Sequence, residues 1–352
     1  MPKVSVIILN WNGSHYTIPC IKSLLKSSYQ DFEIILVDNG SEKGDIQAIE
    51  KEFKNNEKIK IIKNRENKGF AEGNNIGVRN SSPESKYALL LNNDTTVGED
   101  YLKELVEGIG SDEKIKGIVL SFIPKNERSG TSTLCGFYSM YKSKSLINRE
   151  MIPKLHGSGA WFLFDKTVIK EPFDPDYFIY AEDTYLGWLI WLKGYKMVIK
   201  RSQNPKVKII HYSEHSLQKK KSSFSAFLGT RNRLLNLLLF YELRTLIKLI
   251  PLILISQFLY TLSEPSLIPA RIKAYLWFPF NLKKVLEKRK NIQKQRKVPD
   301  EEIIKIMSCK FRNSWDIKNP LSRKIIDLTN KVFCWYCKIL GLKTVEKTKF
   351  SP

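Results

Sequence analysis

The chain has 352 residues, room for one large domain with an appendage or for two domains, and its 42% hydrophobic content excludes a disordered polymer. Its formal net charge of +22 is lopsided: residues 1–183 hold 24 Lys and Arg against 26 Asp and Glu, whereas residues 184–352 hold 34 against 10. The basic half predicts an anionic partner, and five scattered cysteines (Cys20, Cys135, Cys309, Cys334 and Cys337) predict no disulfide framework.

The apolar run before Asn10 is too short for the core of a signal peptide and predicts a first strand, residues 3–10, in a cytosolic domain. A helical period follows from Tyr16 to Leu25. "FEIILVDN" (32–39) predicts a second strand, residues 45–54 a polar helix, and "KIKIIKN" (58–64) a third strand. "AEGNNIGVRN" opens a helix, and "YALLLNND" (87–94) predicts a fourth strand. Short continuous apolar runs suit parallel strands covered on both faces, so the alternation predicts a doubly wound α/β sheet. Ligands bind such sheets beyond the carboxyl ends of the strands. Polar residues stand at those ends: Asn10-Trp11-Asn12, Asp38-Asn39-Gly40-Ser41 and Asn92-Asn93-Asp94. These three termini should line one crevice.

From 115 to 212 the chain carries shorter strands ("KGIVLSF", "GAWFLF", "KMVI", "KVKII") and one strong helix at 182–193. Beyond Ser213 it turns basic and then apolar. Its longest uncharged run, 249–263, falls short of the roughly 20 residues that span a bilayer. Pro251, Pro265 and Pro269 should break a long helix there. Apolar and aromatic residues beside many Lys and Arg predict a segment lying in a membrane interface, against the blander reading of a helical hairpin with a solvated basic face. The division expected is 1–215 for the α/β domain and 216–352 for a basic, helical C-terminal region. Cys334-Trp-Tyr-Cys337 reads as helix packing before zinc or redox chemistry, and His211 with His215 lacks a third ligand for zinc.

Asp94 fits a site for Mg2+ or Mn2+, which take one or two carboxylates together with phosphate oxygens; the alternative is a turn. Asp38 suits a ribose hydroxyl or a base N–H, or else a helix cap. Gly69, Gly73 and Gly77 with Asn74 and Asn75 let backbone approach a ligand, and helix N-terminal amides suit phosphate. Neither a dinucleotide-binding fingerprint nor a P-loop is present. Glu182 and Asp183 open a helix behind an aromatic-rich loop, and a carboxylate placed there can take a proton from an attacking hydroxyl. His211 is a metal-compatible ligand or a phosphate contact.

In order, "VSVIILNWNG", "IILVDNGS", "NKGFAEGNNIG", "LLLNNDT", "GSGAWFLF", "FIYAEDTYLGW", "IIHYSEHS" and "TRNRLL" resemble glycosyltransferase family 2, over residues 4 to about 235, and look most like its rhamnosyltransferase-like members. The resemblance implies an A-type glycosyltransferase fold, with a Rossmann-like, mostly parallel sheet and helices on both faces. It implies Asp38 on a uracil or thymine base, Asp94 on the metal, and Asp183 as catalytic base with Glu182 beside it. It places His211 on the metal-diphosphate, and Arg231-Asn232 on the diphosphate or on a mobile loop. The donor-facing set it implies is Asn10, Asn12, Asp38, Ser41, Gly69, Phe70, Asn74, Asn75, Asn92, Asn93, Arg231 and Asn232, with Gly159 and Trp161 on the acceptor side. One departure is Asn92, where the family commonly has Asp.

The expectation is thus an inverting, metal-dependent enzyme that moves a sugar from a UDP- or dTDP-sugar to a glycan or lipid-linked hydroxyl. Its place is the cytoplasmic face of the cell membrane, in polysaccharide or cell-envelope synthesis. A sugar nucleotidyltransferase would show a basic, glycine-rich loop after the first strand, where this chain has Asn10-Trp11-Asn12-Gly13-Ser14. A nucleic-acid binder would set its charge around a polar groove, whereas here the charge borders leucine-rich runs.

Overall fold

The computed structural model describes residues 3–122, 128–142, 150–157, 160–212, 222–312, 317 and 319–347. Strands β1 (Val4–Asn10), β2 (Phe32–Asp38), β3 (Ile59–Lys63) and β4 (Tyr87–Asn92) are parallel, in the order β3-β2-β1-β4. The sheet continues through β10 (Trp161–Asp165), β6 (Ile115–Phe122), β11 (Lys196–Ser202) and β9 (Met151–Pro153), with β10 and β9 antiparallel to their neighbours. The doubly wound, mostly parallel sheet is as expected.

Alternate side chains of each strand enter two separate cores. Ile7, Ile35, Val37 and Leu90 face one side; Val6, Ile8, Leu36 and Leu89 face the other. Helices α1 (Ser14–Leu25), α2 (Lys43–Glu52) and α4 (Tyr101–Gly110) cover the second face through Ile21, Leu24, Ile49 and Leu105. Helices α3 (Gly69–Arg79) and α5 (Glu182–Leu192) cover the first through Ala71, Val78, Leu186 and Trp188. Burial on both faces is why these strands read as unbroken apolar runs.

Two local expectations fail. "KVKII" is not one strand: Pro205 opens a 3-10 turn over Pro205–Val207, capped by the Asn204 side chain accepting from the Lys206 amide, and only Ile209–His211 (β12) pairs. Pro251 does not break its helix. Helix α7 (Leu243–Leu262) runs through it for 20 residues, because Leu249, Leu252 and Ile253 anchor that stretch in the core. The break comes instead at Pro265–Leu267, before a helix that starts at Ile268 with Pro269 in its first turn.

The C-terminal part is helical, as expected: α6 (Ser223–Phe240), α7, α8 (Ile268–Phe280), α9 (Leu282–Gln293), α10 (Asp300–Ile304) and α11 (Pro320–Ile339). Most of its buried apolar residues, among them Leu235, Leu249, Ile303, Phe333 and Leu342, share one continuous core with Ile7, Trp188 and Met197 of the sheet side, while Ala226, Leu267 and Ala270 form a small separate cluster. Cys337 packs into that core, whereas Cys334 pairs with Cys309 across a Cα–Cα distance of 5.1 Å. One bridge is no framework, but the reading of Cys334 as helix packing is corrected here, since sequence spacing does not reveal which cysteines the fold brings within bridging range.

Helix α5 lies so close to residues 153–157 that a Cβ on Gly187 would stand 1.7 Å from the Leu155 carbonyl oxygen. Neither backbone can yield without displacing Leu155 and Trp188, both fully buried. Gly187→Ala should destabilise the protein by about 3 kcal/mol, read by denaturant unfolding; an unchanged midpoint would refute this packing.

Candidate active site

The carboxyl ends of β1, β2 and β4 fall on one edge of the sheet, because Asn10 is in register with Asp38 and Leu9 with Asn92. The three polar termini therefore meet, as expected. Asp38 is 3% exposed; its carboxylate accepts from Asn10 Nδ2 (3.1 Å) and from the Ser41 amide (3.3 Å). Asn12 and Ser41 sit above it, joined by the Asn12 amide donating to Ser41 Oγ (2.9 Å). Asn10 does not face the crevice. It is fully buried, donates to Asp38, Ser41 and Asp45, and accepts from Thr17 Oγ1, so it acts as a strut under Asp38.

Asp94 follows β4 and leads into β5 (Thr95–Val97), which pairs antiparallel with β12 so that His211 lies opposite Thr95. That pairing joins two residues far apart in the chain: His211 Nε2 is 3.1 Å from Asp94 Oδ1. The Tyr212 amide donates to the Asp94 carbonyl (2.8 Å) and fixes the register. Asp94 Oδ1 is buried and, with His211 Nε2 near it but outside hydrogen-bond geometry, makes no hydrogen bond among the described residues. Asn93 Nδ2 donates to Thr17 Oγ1 (2.9 Å), and the half-buried Asn92 closes the strand. Trp161 stacks edge-on at 5.9 Å from the His211 ring, with its indole N–H on the Leu120 carbonyl (3.1 Å).

Glu182 and Asp183 reach the same edge by topology. β10 is antiparallel to β4 and to β6, and β11 is parallel to β6, so β11 runs with β1. Helix α5 turns back into β11 through Gly194, which places its N-terminus at the carboxyl end of the sheet. The loop entering it is strained. Phe178, Tyr180 and Ala181 all have positive φ (58°, 76° and 65°), and the Ile179 amide closes a three-residue turn onto the Tyr177 carbonyl at 2.6 Å.

Helix α6 and α3 hold that loop. Asn232 Nδ2 meets the carbonyls of Tyr177, Ile179 and Tyr180 at 2.8–2.9 Å. Asn236 Nδ2 donates to the Ala181 carbonyl (2.9 Å), and the Tyr177 hydroxyl donates to Asn236 Oδ1 (2.7 Å). The Phe178 carbonyl accepts from the amides of Phe70 (2.6 Å) and Ala71 (3.0 Å). Arg231 donates to the Asp176 carbonyl and lies between the Phe227 and Trp277 rings. Of the two roles expected for Arg231 and Asn232, the loop anchor is the one their contacts show.

The α3 expectations are corrected in the same way. Its first free amides are occupied by the Phe178 carbonyl, and the Gly69 amide by Asn67 Oδ1 (2.8 Å), so they do not present a phosphate cradle. Gly69 is needed for a left-handed backbone (φ +80°) against which Phe178 packs. Asn75 exchanges two hydrogen bonds with the backbone of Phe173, and Asn74 donates to the Phe70 carbonyl; both are buried. Phe70 packs 6.0 Å from Phe173. Asn64 and Asn236 carry no sequence signal, and Asn39 and Asn67 appear there only as members of polar segments. Asn39 ties β2 to the Gly69 turn by donating to Asn67 Oδ1 (2.9 Å) and accepting from Asn64 and Lys68. Gly159 lies outside the described residues.

Burial, reinforced by the Asp183 charge, pushes the Glu182 carboxyl up to about 8. Burial also raises Asp183, opposed by the Thr184 amide donating to its Oδ1 (2.7 Å), so the two adjacent carboxyls titrate as a pair.

The clamp is testable without any substrate. Asn232→Ala takes the side-chain donor from three loop carbonyls, the Tyr177 one buried and the other two part-buried, which should cost about 1–3 kcal/mol. Amide exchange of Phe178–Ala181 should rise by at least about tenfold, while β1–β4 keep their protection. Unchanged exchange in the loop would remove Asn232 from this role.

Residues 5–173 match the family "Glycosyl transferase family 2". Glycosyltransferase GlyG of Streptococcus pneumoniae serotype 4 is 26% identical over 106 residues, 30% of this chain and 35% of that protein. An uncharacterized glycosyltransferase of Haemophilus influenzae is 26% identical over 209 residues, 53% of this chain and 62% of that one. The chain thus spans less than two thirds of either relative. The crystal structure of GalNAc-T7 with UDP, GalNAc and Mn2+ is similar in fold, with a TM-score of 0.60 at 16% identity, covering 81% of this chain and 58% of its own. With the strand order already described, the chain has the A-type glycosyltransferase fold, and residues 5–173, just under half of it, are similar to glycosyltransferase family 2.

Proposed function

We propose that the chain is an inverting, metal-dependent glycosyltransferase of the rhamnosyltransferase-like kind, using a UDP- or dTDP-sugar and a glycan or lipid-linked hydroxyl at the cytoplasmic face of a membrane. The observation that carries the reading is that the Asp94–His211 pair and the start of the helix bearing Glu182 and Asp183 both lie at the carboxyl edge of the sheet. The family match and the UDP and Mn2+ in the GalNAc-T7 structure support it.

The residues fit a divalent cation. Two adjacent ligands of an octahedral Mg2+ or Mn2+, each at about 2.1 Å, stand about 3 Å apart, and Asp94 Oδ1 and His211 Nε2 are 3.1 Å apart. The buried Asp94 Oδ1, without a hydrogen bond among the described residues, is the kind of atom such an ion would satisfy. No group of three or more His, Cys, Asp or Glu forms a metal cluster among the described residues, which suits an ion completed by diphosphate oxygens and water. When bound, the ion neutralises charge on the departing diphosphate; Asp94 and His211 would hold it. Asp38 accepts a base or ribose N–H or O–H, with Asn12 and Ser41 above it. Asp183, in its ionised form, takes the proton of the acceptor hydroxyl as that oxygen attacks the anomeric carbon. Glu182, protonated, adds no second charge beside an anionic donor. The strained loop fixes both carboxyls so that attack follows one line.

Asp183→Asn should reduce transfer by about 10²–10⁴-fold with donor affinity within a few-fold of wild type, read by single-turnover transfer and by donor titration. Wild-type turnover would reject the base assignment. Rate should fall as pH drops through the raised Asp183 value, because below it the base is protonated. Any change of rate near pH 8 should vanish in Glu182→Gln, which keeps the acid limb.

Chelation should abolish release of nucleoside diphosphate, and Mn2+ or Mg2+ should restore it in wild type but not in Asp94→Ala. Full activity in the chelator would end the metal reading.

A further inference from the structure

Two helices of the C-terminal part show lipid-like surface to the outside. Helix α7 packs Leu249, Leu252, Ile253 and Ser256 inward and leaves Leu243, Ile247, Ile250, Leu254 and Phe258 outward, each 45–64% exposed. Their spacing is that of one helix face. Helix α11 repeats the pattern: Ile326, Phe333 and Cys337 are buried, while Leu321, Ile325, Leu328, Val332, Trp335 and Ile339 are 44–68% exposed. The Tyr336 hydroxyl of α11 donates to the Lys248 carbonyl of α7 (3.0 Å), so the helices border one another. Both pack on the same core, and their apolar stripes point away from it.

Soluble surfaces seldom carry this much aligned Leu, Ile and aromatic area. Helix α7, 20 residues long, is long and apolar enough to cross a bilayer, with a mean hydropathy of 1.7 over an 18-residue window. Its inner face, however, is committed to protein, which suits a helix lying in the interface plane rather than one surrounded by lipid. Charge selects the occupant. Residues 243–339 hold 20 Lys and Arg against 7 Asp and Glu, among them exposed Arg244, Lys248, Lys331 and Lys338 on these two helices. A second copy would bring the same excess of positive charge, whereas anionic headgroups neutralise it.

We propose that α7 and α11 together form an in-plane docking face for an anionic lipid bilayer. The face stands independently of the transfer chemistry, and its test uses none.

The full chain is sedimented with vesicles of equimolar phosphatidylglycerol and phosphatidylcholine, and with phosphatidylcholine alone. It should pellet with the anionic vesicles, bind them less at high salt, and be released by alkaline carbonate. Leu254→Gln with Trp335→Gln should lower apparent affinity by about tenfold or more with an unchanged circular dichroism spectrum. Should that pair unfold, Ile250→Gln with Leu328→Gln probes the same face. Wild-type protein left in the supernatant, or folded variants that bind as wild type does, would overturn the proposal. Retention after carbonate would instead mean a spanning helix. A concentration-dependent dimer abolished by the same substitutions would assign the face to a second copy of the chain.

Discussion

The structure depends on a stretch of backbone that would not hold its shape alone. Phe178, Tyr180 and Ala181 each occupy the left-handed region without being glycine, at a cost of about 1–3 kcal/mol apiece. What compensates is a dense set of donors aimed at the carbonyls between Asp176 and Ala181: the side chains of Arg231, Asn232 and Asn236, and the amides that open α3. An unpartnered buried carbonyl is expensive, so the loop has one arrangement that satisfies every group, and in it Glu182 and Asp183 start a helix at the ligand edge of the sheet. The helical C-terminal part is therefore no passive appendage to the α/β domain. It supplies α6, whose asparagines complete the carboxylate pair's support.

Charge is distributed to match. Lys284 and Lys288 on α9 reach Asp176, and Lys288 also reaches Asp174, at 2.5–2.6 Å. Those acidic partners lie just before the strained residues, so the basic half grips the loop by ion pairs as well as by neutral hydrogen bonds. With Arg231 held between Phe227 and Trp277, the anchor combines charge, hydrogen bonding and ring contact. Glu182, by contrast, is buried with no donor on Oε2. A carboxyl in that position keeps its proton, and this separates the roles of two adjacent acids that composition alone leaves equivalent.

Much of this was legible because strands buried on both faces cannot avoid reading as apolar runs, and because polar residues at their ends stand out against that background. Asp38, Asp94 and the Glu182–Asp183 pair fell where those patterns ended. Other features left no local trace. Asn74 and Asn75 look like ligand donors in a glycine-rich stretch, yet their amides serve the helix and Phe173; a short polar side chain reads alike whether its partner is backbone or substrate. The approach of His211 to Asp94 depends on pairing between two three-residue strands, too short to announce themselves. The Cys309–Cys334 bridge depends on a long-range meeting of the same sort. Pro251 misled for the opposite reason. A local rule predicted a break, and burial of the flanking leucines outweighed one lost hydrogen bond.

Asn92 bears on how the proposed metal would be held. With aspartate at both strand-end positions, a divalent ion would meet two carboxylates before any nucleotide arrived. Here the described protein ligands are one carboxylate and one imidazole. Such a pair would leave most of an ion's charge and coordination positions to be met by diphosphate oxygens and water. The same arithmetic works for the reaction. Residual positive charge that the protein does not cancel is available to the leaving diphosphate, where negative charge grows in the transition state. With asparagine rather than aspartate at position 92, a divalent ion held there would meet less protein charge.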